Sequence, residues 1–177
     1  MTKKLKLEAL NRVDLETFRL LKKNPITLVL DNIRSMHNVG AFFRTADAFL
    51  VEKILLTGIT PRPPHREIHK AALGATESVE WSYSENIVSA LECLKRENYK
   101  ILGIEQATRS VFLQKYVISA DQKYALVFGN EVEGISENAL EFCDGCIEIA
   151  QSGTKHSLNV SVCGGIVMWE FYKAFSF

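Results

Sequence analysis

The sequence lacks a long apolar run, an excess of charge and a set of cysteines large enough for a disulfide framework. No apolar stretch approaches the ~18 residues of a membrane-spanning helix, and residues 1–4 do not begin a signal peptide. We therefore expect a cytoplasmic protein, and four cysteines fit its reducing environment. Because 21 Lys and Arg balance 21 Asp and Glu, the overall charge alone speaks against a strongly basic nucleic-acid-binding protein.

What is present is the composition of an ordinary globular protein, with 47% hydrophobic and 24% charged residues. A chain of 177 residues has about the length of one domain. We expect that domain over residues 24–177, after a basic helical extension over residues 1–23. The extension carries seven basic and three acidic groups, whereas residues 129–148 carry six acidic groups and no Lys or Arg. Neutrality can thus coexist with a basic face, although a solvated amphipathic helix explains the N-terminal charge equally well.

Cys143 and Cys146 have the spacing of a metal-ligand pair. A structural zinc site needs a second pair at matching spacing, and Cys93 and Cys163 each stand alone in the sequence. We predict no metal site and interpret the pair as small residues at the edge of a strand.

Short apolar runs alternate with helical patterns along the chain. The runs occupy residues 26–30, 53–56, 99–102, 124–128 and 146–149, and each is followed by glycine or polar residues, as in parallel sheets. Helices are expected over residues 38–50, from a cap at Ser84 to about Tyr99, from Ser136 to Cys143, and from Ser157 or Asn159 to about Phe175. This alternation predicts an α/β protein with a mostly parallel sheet flanked by helices.

Polar loops follow three of the predicted strands, at residues 31–40, 129–134 and 151–159. In parallel sheets, ligands bind beyond the carboxyl ends of the strands, so these loops are the candidate site. The second loop has the glycine spacing of a phosphate loop but lacks the lysine that would reach the phosphates, which argues against a nucleotide hydrolase. No dinucleotide-binding glycine pattern follows a strand, and Ser157 lacks the flanking glycines of a hydrolase nucleophile.

In this order, the three loops resemble the three motifs of the SpoU (TrmH) family of RNA 2′-O-ribose methyltransferases, in the SPOUT superfamily. The matching segments are residues 38–46, residues 126–134, and residues 147–149 with 157–161. The resemblance covers residues 24–175, but Ala150 and Gln151 stand where the family commonly has Pro and Met. It implies a SPOUT fold with a C-terminal trefoil knot, an S-adenosylmethionine cofactor and a homodimer.

The resemblance also implies five catalytic residues, namely Asn38, Arg44, Glu131, Ser157 and Asn159. The planar fork of Arg44 suits bidentate contact with an RNA phosphate. The family further implies that Arg44 accepts the ribose proton, but a guanidinium group stays protonated in proteins, so we favour the clamp. Glu131 would orient Arg44 or Asn38, and Ser157 would hydrogen-bond near the hydroxyl or phosphate. The competing interpretations are a surface ion pair for Arg44 and helix caps for the two asparagines.

Two further sets of residues are expected to bind ligands. The cofactor set implied by the resemblance is Glu105, Gly129, Asn130, Ile149, Gly153 and Leu158. The RNA set is Arg34, Arg44, Arg62, Arg66 and Lys70, together with the basic N-terminal segment. A plain solvated loop is the alternative for Arg62, Arg66 and Lys70.

The sequence thus predicts an S-adenosylmethionine-dependent RNA 2′-O-methyltransferase. We expect transfer RNA as the substrate, because a catalytic domain that begins near residue 24 leaves no room for the additional domain of many ribosomal-RNA members. The alternatives are a ribosomal-RNA enzyme and a catalytically silent RNA-binding SPOUT protein. All five catalytic candidates are present, which argues against the silent protein.

Overall fold

The computed structural model describes residues 2–177, with the backbone alone for Leu7 and Glu8. In this part of the chain the strands are Asn24–Asp31 (β1), Val51–Thr57 (β2), Glu80–Ser84 (β3), Tyr99–Ile104 (β4), Val111–Phe112 (β5), Lys123–Phe128 (β6) and Gly145–Glu148 (β7). The α-helices are Leu15–Leu20 (α1), Met36–Ala48 (α2), Arg66–Ala72 (α3), Ala75–Ser78 (α4), Ile87–Arg96 (α5), Glu137–Phe142 (α6) and Val160–Ser176 (α7). Two 3₁₀ turns lie at Leu7–Leu10 and Leu113–Lys115.

The strands form one parallel sheet in the order β3-β2-β1-β6-β4-β7-β5. Strands β1 and β6 pair at its centre, and their apolar residues are almost completely buried. A continuous aliphatic run is what a strand needs when helices cover both faces of the sheet. Helices α2, α3 and α7 contribute to the core on one face, and α5 and α6 contribute to the core on the other. The α/β prediction is therefore confirmed.

The five predicted strands are all present, whereas β3 and β5 were missed. Strand β3 at the sheet edge contains Glu80, Trp81 and two serines instead of an aliphatic run, and β5 has two residues. Helix α3 was also missed, so Arg66 and Lys70 lie on a helix and not in an extended loop.

Some helix ends differ from the prediction. Ser84 ends β3, and Asn86 caps α5 by accepting a hydrogen bond from the Ser89 backbone N–H at 3.2 Å. Helix α2 begins at Met36 behind a Ser35 cap, two residues earlier than predicted. Of the two predicted starts of α7, Ser157 and Asn159, it is Asn159 that caps the helix, accepting from the Ser161 backbone N–H at 2.9 Å.

The N-terminal extension contains a 3₁₀ turn and the short helix α1. Phe18 of α1 is buried, and the Arg19 guanidinium donates to the Glu77 carbonyl oxygen at 2.7 Å. These contacts place α1 against α4. The division into extension and domain stays a prediction.

The trefoil knot also stays a prediction, because strand order and pairing do not define how the C-terminal segment is threaded. Within residues 2–177, no helix is both long enough and apolar enough to cross a membrane.

Candidate functional site

A cavity of about 660 Å³ lies at the carboxyl ends of β4, β6 and β7. Three loops enclose it, at residues 105–106, 129–135 and 149–160. Of the six expected cofactor residues, the cavity is lined by Glu105, Gly129, Asn130, Ile149 and Leu158. Gly153 lies in the exposed part of the third loop, outside the lining, and a side chain there would meet open space.

Gly129 is required by the shape of the second loop. Asn130 and Gly134 exchange two backbone hydrogen bonds of 2.9 Å, which fold the loop tightly onto itself. A Cβ atom at residue 129 would overlap the backbone of Gly134 and Ile135. Gly134 has φ +74°, the left-handed region that favours glycine. Any larger residue at 129 would therefore open the loop and change the cavity wall.

Asn130 holds this loop from within. Its Oδ1 accepts from the backbone N–H groups of Val132 and Glu133 at 2.8 and 3.2 Å. Its Nδ2 donates to the Asn32 carbonyl oxygen at 2.8 Å, which ties the second loop to the first. Glu105 braces the other end, accepting from the Ile135 N–H at 3.2 Å. These contacts identify Asn130 and Glu105 as residues that shape the cavity.

Asp31 is a buried carboxylate that the sequence analysis did not single out. Its Oδ2 accepts from the backbone N–H and the hydroxyl of Ser136 at 2.8 and 2.7 Å. Its Oδ1 accepts from the Asn32 side chain at 2.7 Å. Asp31 therefore fixes the end of the second loop to the end of β1.

Four side chains from the three motifs meet beside the cavity. The Asn38 Nδ2 donates to Glu131 Oε1 at 2.9 Å, and the Asn38 Oδ1 accepts from the Asn159 Nδ2 at 3.2 Å. The Ser161 hydroxyl lies 3.2 Å from Asn38 Oδ1 and 2.7 Å from Asn159 Oδ1. We call Asn38, Glu131, Asn159 and Ser161 the motif cluster.

Glu131 is held in its ionised form. Its two oxygens accept from the backbone N–H groups of Arg34 and Ser35 at 3.0 and 3.1 Å, in addition to Asn38. Burial acts to raise the pKa of Glu131, but these hydrogen bonds outweigh it and lower the pKa below its ordinary value. At neutral pH the group is therefore a fixed negative charge. It orients Asn38, one of the two partners expected for it.

Ser161 is the member of this cluster that the sequence analysis did not select. Ser157, which was selected, is exposed at the cavity wall and makes none of the hydrogen bonds found over residues 2–177. Ser161 lies two residues after the α7 cap, at the spacing from which a hydroxyl can reach the Asn159 side chain. That spacing was the available signal.

Arg44 lies apart from the motif cluster. It is exposed on α2, six residues after Asn38, which is about 9 Å farther along a helix axis. Among the described residues it has no ion-pair partner, so the surface ion pair considered from sequence is not observed. Its guanidinium group is free to contact a ligand.

The other expected RNA-binding residues are also exposed, but they differ in their contacts. Lys70 pairs with Glu67 at 2.9 Å, so part of its charge is neutralised. The Arg62 guanidinium carbon lies 4.1 Å from the centroid of the Tyr83 ring. Arg34 approaches the motif cluster through its backbone. Arg66 begins α3.

The cavity combines apolar walls with negative charge. Its apolar lining includes Phe128, Ile147 and Leu158, and its carboxylates are Glu105, Glu131, Glu133 and Glu148. Such a lining suits a ligand with one flat apolar part and one cationic part. Across residues 2–177 no group of three or more His, Cys, Asp or Glu side chains is arranged to hold a metal ion, although His65 and His69 are four residues apart.

Comparison with known proteins gives consistent matches. The model of the SpoU rRNA Methylase family matches residues 25–169. The 23S rRNA (guanosine-2′-O-)-methyltransferase RlmB of Vibrio vulnificus is 32% identical over 162 residues, 91% of this chain. The chain spans 64% of that relative's length.

Two solved structures share the fold. The TrmH/SpoU tRNA modifying enzyme of A. aeolicus aligns with a TM-score of 0.80 and 27% identity, over 90% of this chain and 81% of that one. The AdoMet-bound rRNA methyltransferase of Sinorhizobium meliloti aligns with a TM-score of 0.79 and 22% identity, over 88% of this chain and 59% of that one. Because the family model covers most of the chain and all three motifs, this protein belongs to the SpoU family.

Proposed function

We propose that this protein transfers a methyl group from S-adenosylmethionine to the 2′-hydroxyl of a ribose in RNA, and that the RNA is ribosomal. The observation that carries the proposal is the motif cluster. It joins residues 38, 131, 159 and 161 through side-chain hydrogen bonds at the rim of an acidic cavity.

The cavity fits the cofactor chemically. When bound, S-adenosylmethionine supplies an activated methyl group on a sulfonium centre. The carboxylates of Glu105, Glu131 and Glu133 would favour its positive charges, and the apolar walls at Ile149 and Leu158 would contact the adenine. Gly129 lets the second loop fold tightly onto itself beside the cavity, because a side chain there would overlap the backbone of Gly134 and Ile135. Gln151 also lines the cavity, where many family members have methionine.

The remaining catalytic task is to position the ribose hydroxyl and help remove its proton. The motif cluster has a defined hydrogen-bond direction. The Asn159 Oδ1 is committed to backbone N–H groups at the start of α7, so its Nδ2 faces Asn38. The Asn38 Nδ2 in turn faces Glu131. These fixed amides and the ionised Glu131 present a preorganised polar surface to the ribose, and Arg44 supplies the phosphate clamp.

Ribosomal RNA replaces transfer RNA as the proposed substrate. The expectation of transfer RNA rested on the length before residue 24, whereas the V. vulnificus relative, which matches 91% of this chain, is named a 23S rRNA methyltransferase. That relative is 32% identical to this chain over 162 aligned residues. This match supports ribosomal RNA, the alternative substrate considered from the sequence, over transfer RNA.

The test is methyl transfer from labelled S-adenosylmethionine to ribosomal RNA and, in parallel, to transfer RNA. A 2′-O-methyl group blocks alkaline cleavage of the adjacent phosphodiester, so label should appear in alkali-resistant dinucleotides from ribosomal RNA. Glu131→Gln is the matched control, because the amide keeps the shape but turns an NH₂ group toward a donor. The Glu131→Gln protein should transfer far less methyl group to RNA than the parent protein. Label in transfer RNA alone would contradict ribosomal RNA as the substrate. If the protein binds RNA but transfers no methyl group to either RNA, it is the catalytically silent RNA-binding protein considered from the sequence.

A further inference from the structure

A second cavity, of about 680 Å³, lies at the carboxyl ends of β2 and β3. Its lining comes from the loop after β2, at residues 58–63 and 65, and from Trp81 and Tyr83 of β3. We call it the Arg62 cavity. It opens at the same edge of the sheet as the first cavity, at the carboxyl ends of β4, β6 and β7, since all strands are parallel. Because we propose that S-adenosylmethionine binds in that first cavity, we call it the cofactor cavity.

Arg62 is stacked inside this cavity. Its guanidinium carbon lies 4.1 Å from the Tyr83 ring centroid, within the range of a cation–π contact. Arg62 is nevertheless exposed, so the guanidinium face turned away from Tyr83 is open to a ligand. A guanidinium held against a ring has less freedom to lose when a second flat group stacks on it.

Hydrogen bonds make the cavity rigid before any ligand arrives. The Tyr83 hydroxyl donates to the Gly58 carbonyl oxygen at 3.0 Å, and the Gly58 N–H donates to the Ser84 carbonyl at 3.2 Å. The Thr60 hydroxyl donates to the Leu30 carbonyl at 3.0 Å. The loop after β2 is therefore fixed to both neighbouring strands.

The charge of the Arg62 cavity is opposite to that of the cofactor cavity. Its lining holds Arg62 and His65 and no carboxylate, whereas four glutamates line the cofactor cavity. Beside these polar groups lie flat or apolar surfaces, namely Trp81, Tyr83 and Ile59, the last 64% exposed. Cationic and aromatic groups without acids match the chemistry of an unpaired nucleotide, which has a flat base and an anionic phosphate.

The two cavities are joined through Asn32. Its Oδ1 accepts from the Ile59 N–H at 3.0 Å, in the Arg62 cavity. Its carbonyl oxygen accepts from Asn130 at 2.8 Å, in the loop that forms the cofactor cavity. One residue therefore fixes the position of one cavity relative to the other.

We propose that the Arg62 cavity binds an unpaired RNA base, stacked on the exposed face of the Arg62 guanidinium, while the cofactor cavity holds S-adenosylmethionine. This inference rests on the proposed function and adds a base-binding subsite to it. Arg62 then acts through its plane and not only through its charge, in contrast to the phosphate contact expected from the sequence.

The test compares Arg62→Ala and Arg62→Lys in binding of a short unstructured RNA. Binding is followed by the fluorescence of Trp81 in a Trp169→Phe background, since the chain has two tryptophans. Stacking predicts that both variants lose about tenfold or more in RNA affinity. Calorimetry should give unchanged affinity for S-adenosylmethionine, which also verifies that the exposed substitution leaves the fold intact.

Arg96→Ala is the matched control, because this exposed arginine lies just before β4, at the opposite edge of the sheet. It should bind RNA as the parent protein does. If Arg62→Lys binds RNA with the affinity of the parent protein, Arg62 acts only through its charge and the proposal is overturned. An unchanged RNA affinity in Arg62→Ala would also overturn it. The failure of the proposed function is a different result, namely RNA binding by the parent protein without methyl transfer.

Discussion

Arg44 and Glu131 illustrate two ways in which a charged residue can be prepared for a ligand. Glu131 has both oxygens engaged by three donors, so its position is fixed by the protein. Arg44 has no ion-pair partner among residues 2–177, so its guanidinium group is free for the phosphate contact that we propose. A fixed anion and a free cation fit different tasks, orientation of the site and capture of a phosphate.

Replacing Arg44 with lysine should preserve cofactor affinity and reduce methyl transfer. Lysine keeps the charge but cannot hold two phosphate oxygens at once, and a displacement of about 1 Å costs on the order of 10²-fold in rate. The measurement is single-turnover methylation of RNA between pH 6 and pH 10, with cofactor affinity measured in parallel.

The pH profile separates the two roles considered for Arg44. A clamp predicts a loss in Arg44→Lys that is independent of pH. A base predicts activity that recovers as pH rises toward ~10.4, where an unperturbed lysine loses its proton. Turnover like that of the parent protein would eliminate both roles.

Cys163 gives a chemical reporter inside the cofactor cavity. Burial raises the pKa of its thiol to about 11, so about one thiol in a thousand is ionised at pH 8. Alkylation by iodoacetamide should be slow at pH 8, faster at pH 10 and slower again with S-adenosylmethionine present. The exposed Cys93 is the internal reference. Equal alkylation rates at Cys163 and Cys93 at pH 8 would contradict the raised pKa of the Cys163 thiol.

At the level of residues, the sequence motifs were sufficient to select Asn38, Glu131 and Asn159, which the fold brings into contact. They were not sufficient for Ser161 or for Asp31. The contacts of Asp31 with Ser136 join positions 105 apart in sequence, and no local pattern encodes that pair, whereas the two-residue spacing of Ser161 from Asn159 was a local signal. The role of Asp31 depends on how the strands are ordered in the sheet.

Among the elements, helix α7 has two apolar faces. Gly164, Val167 and Phe171 are buried, and Gly164 has no space for a side chain because the Phe42 ring packs against it. On the other side, Val162 and Ile166 are exposed. A helix that is apolar on more than one face needs a second cover, so we propose that this face forms the homodimer expected from sequence.

The dimer is testable by sedimentation at micromolar concentration. The parent protein should sediment as two chains of 19.9 kDa, whereas Ile166→Glu should sediment as one, because burying a carboxylate in an apolar interface is costly. Val117→Glu, at an 87% exposed position in a loop, is the control and should remain dimeric. A monomeric parent protein would contradict the proposal.

The strands were predictable where both faces of the sheet are buried, because such strands consist of aliphatic residues, as in β1 and β6. They were not predictable at the sheet edge. Strand β3 is half-buried, and Trp81 packs against Phe43 while Ser82 pairs with Leu55. Its residues obtain strand structure from the neighbouring β2, so the segment alone carried too weak a signal.

At the scale of the molecule, a net charge of zero conceals two cavities of opposite character at one edge of the sheet. The glutamates line the cofactor cavity, and the Arg62 cavity holds a cation among aromatic rings. We propose that this separation lets one neutral chain bind a cationic cofactor and an anionic polymer side by side. Overall composition could not reveal it, because composition contains no spatial information.

The most direct test is a mass-spectrometric map of ribose methylation in RNA from cells with and without the gene. Our account predicts that one position in ribosomal RNA loses its 2′-O-methyl group. The parent protein should restore it, and the Arg44→Lys protein should not. Loss confined to transfer RNA would contradict the proposed substrate, and identical maps for both classes of RNA would contradict the proposed activity.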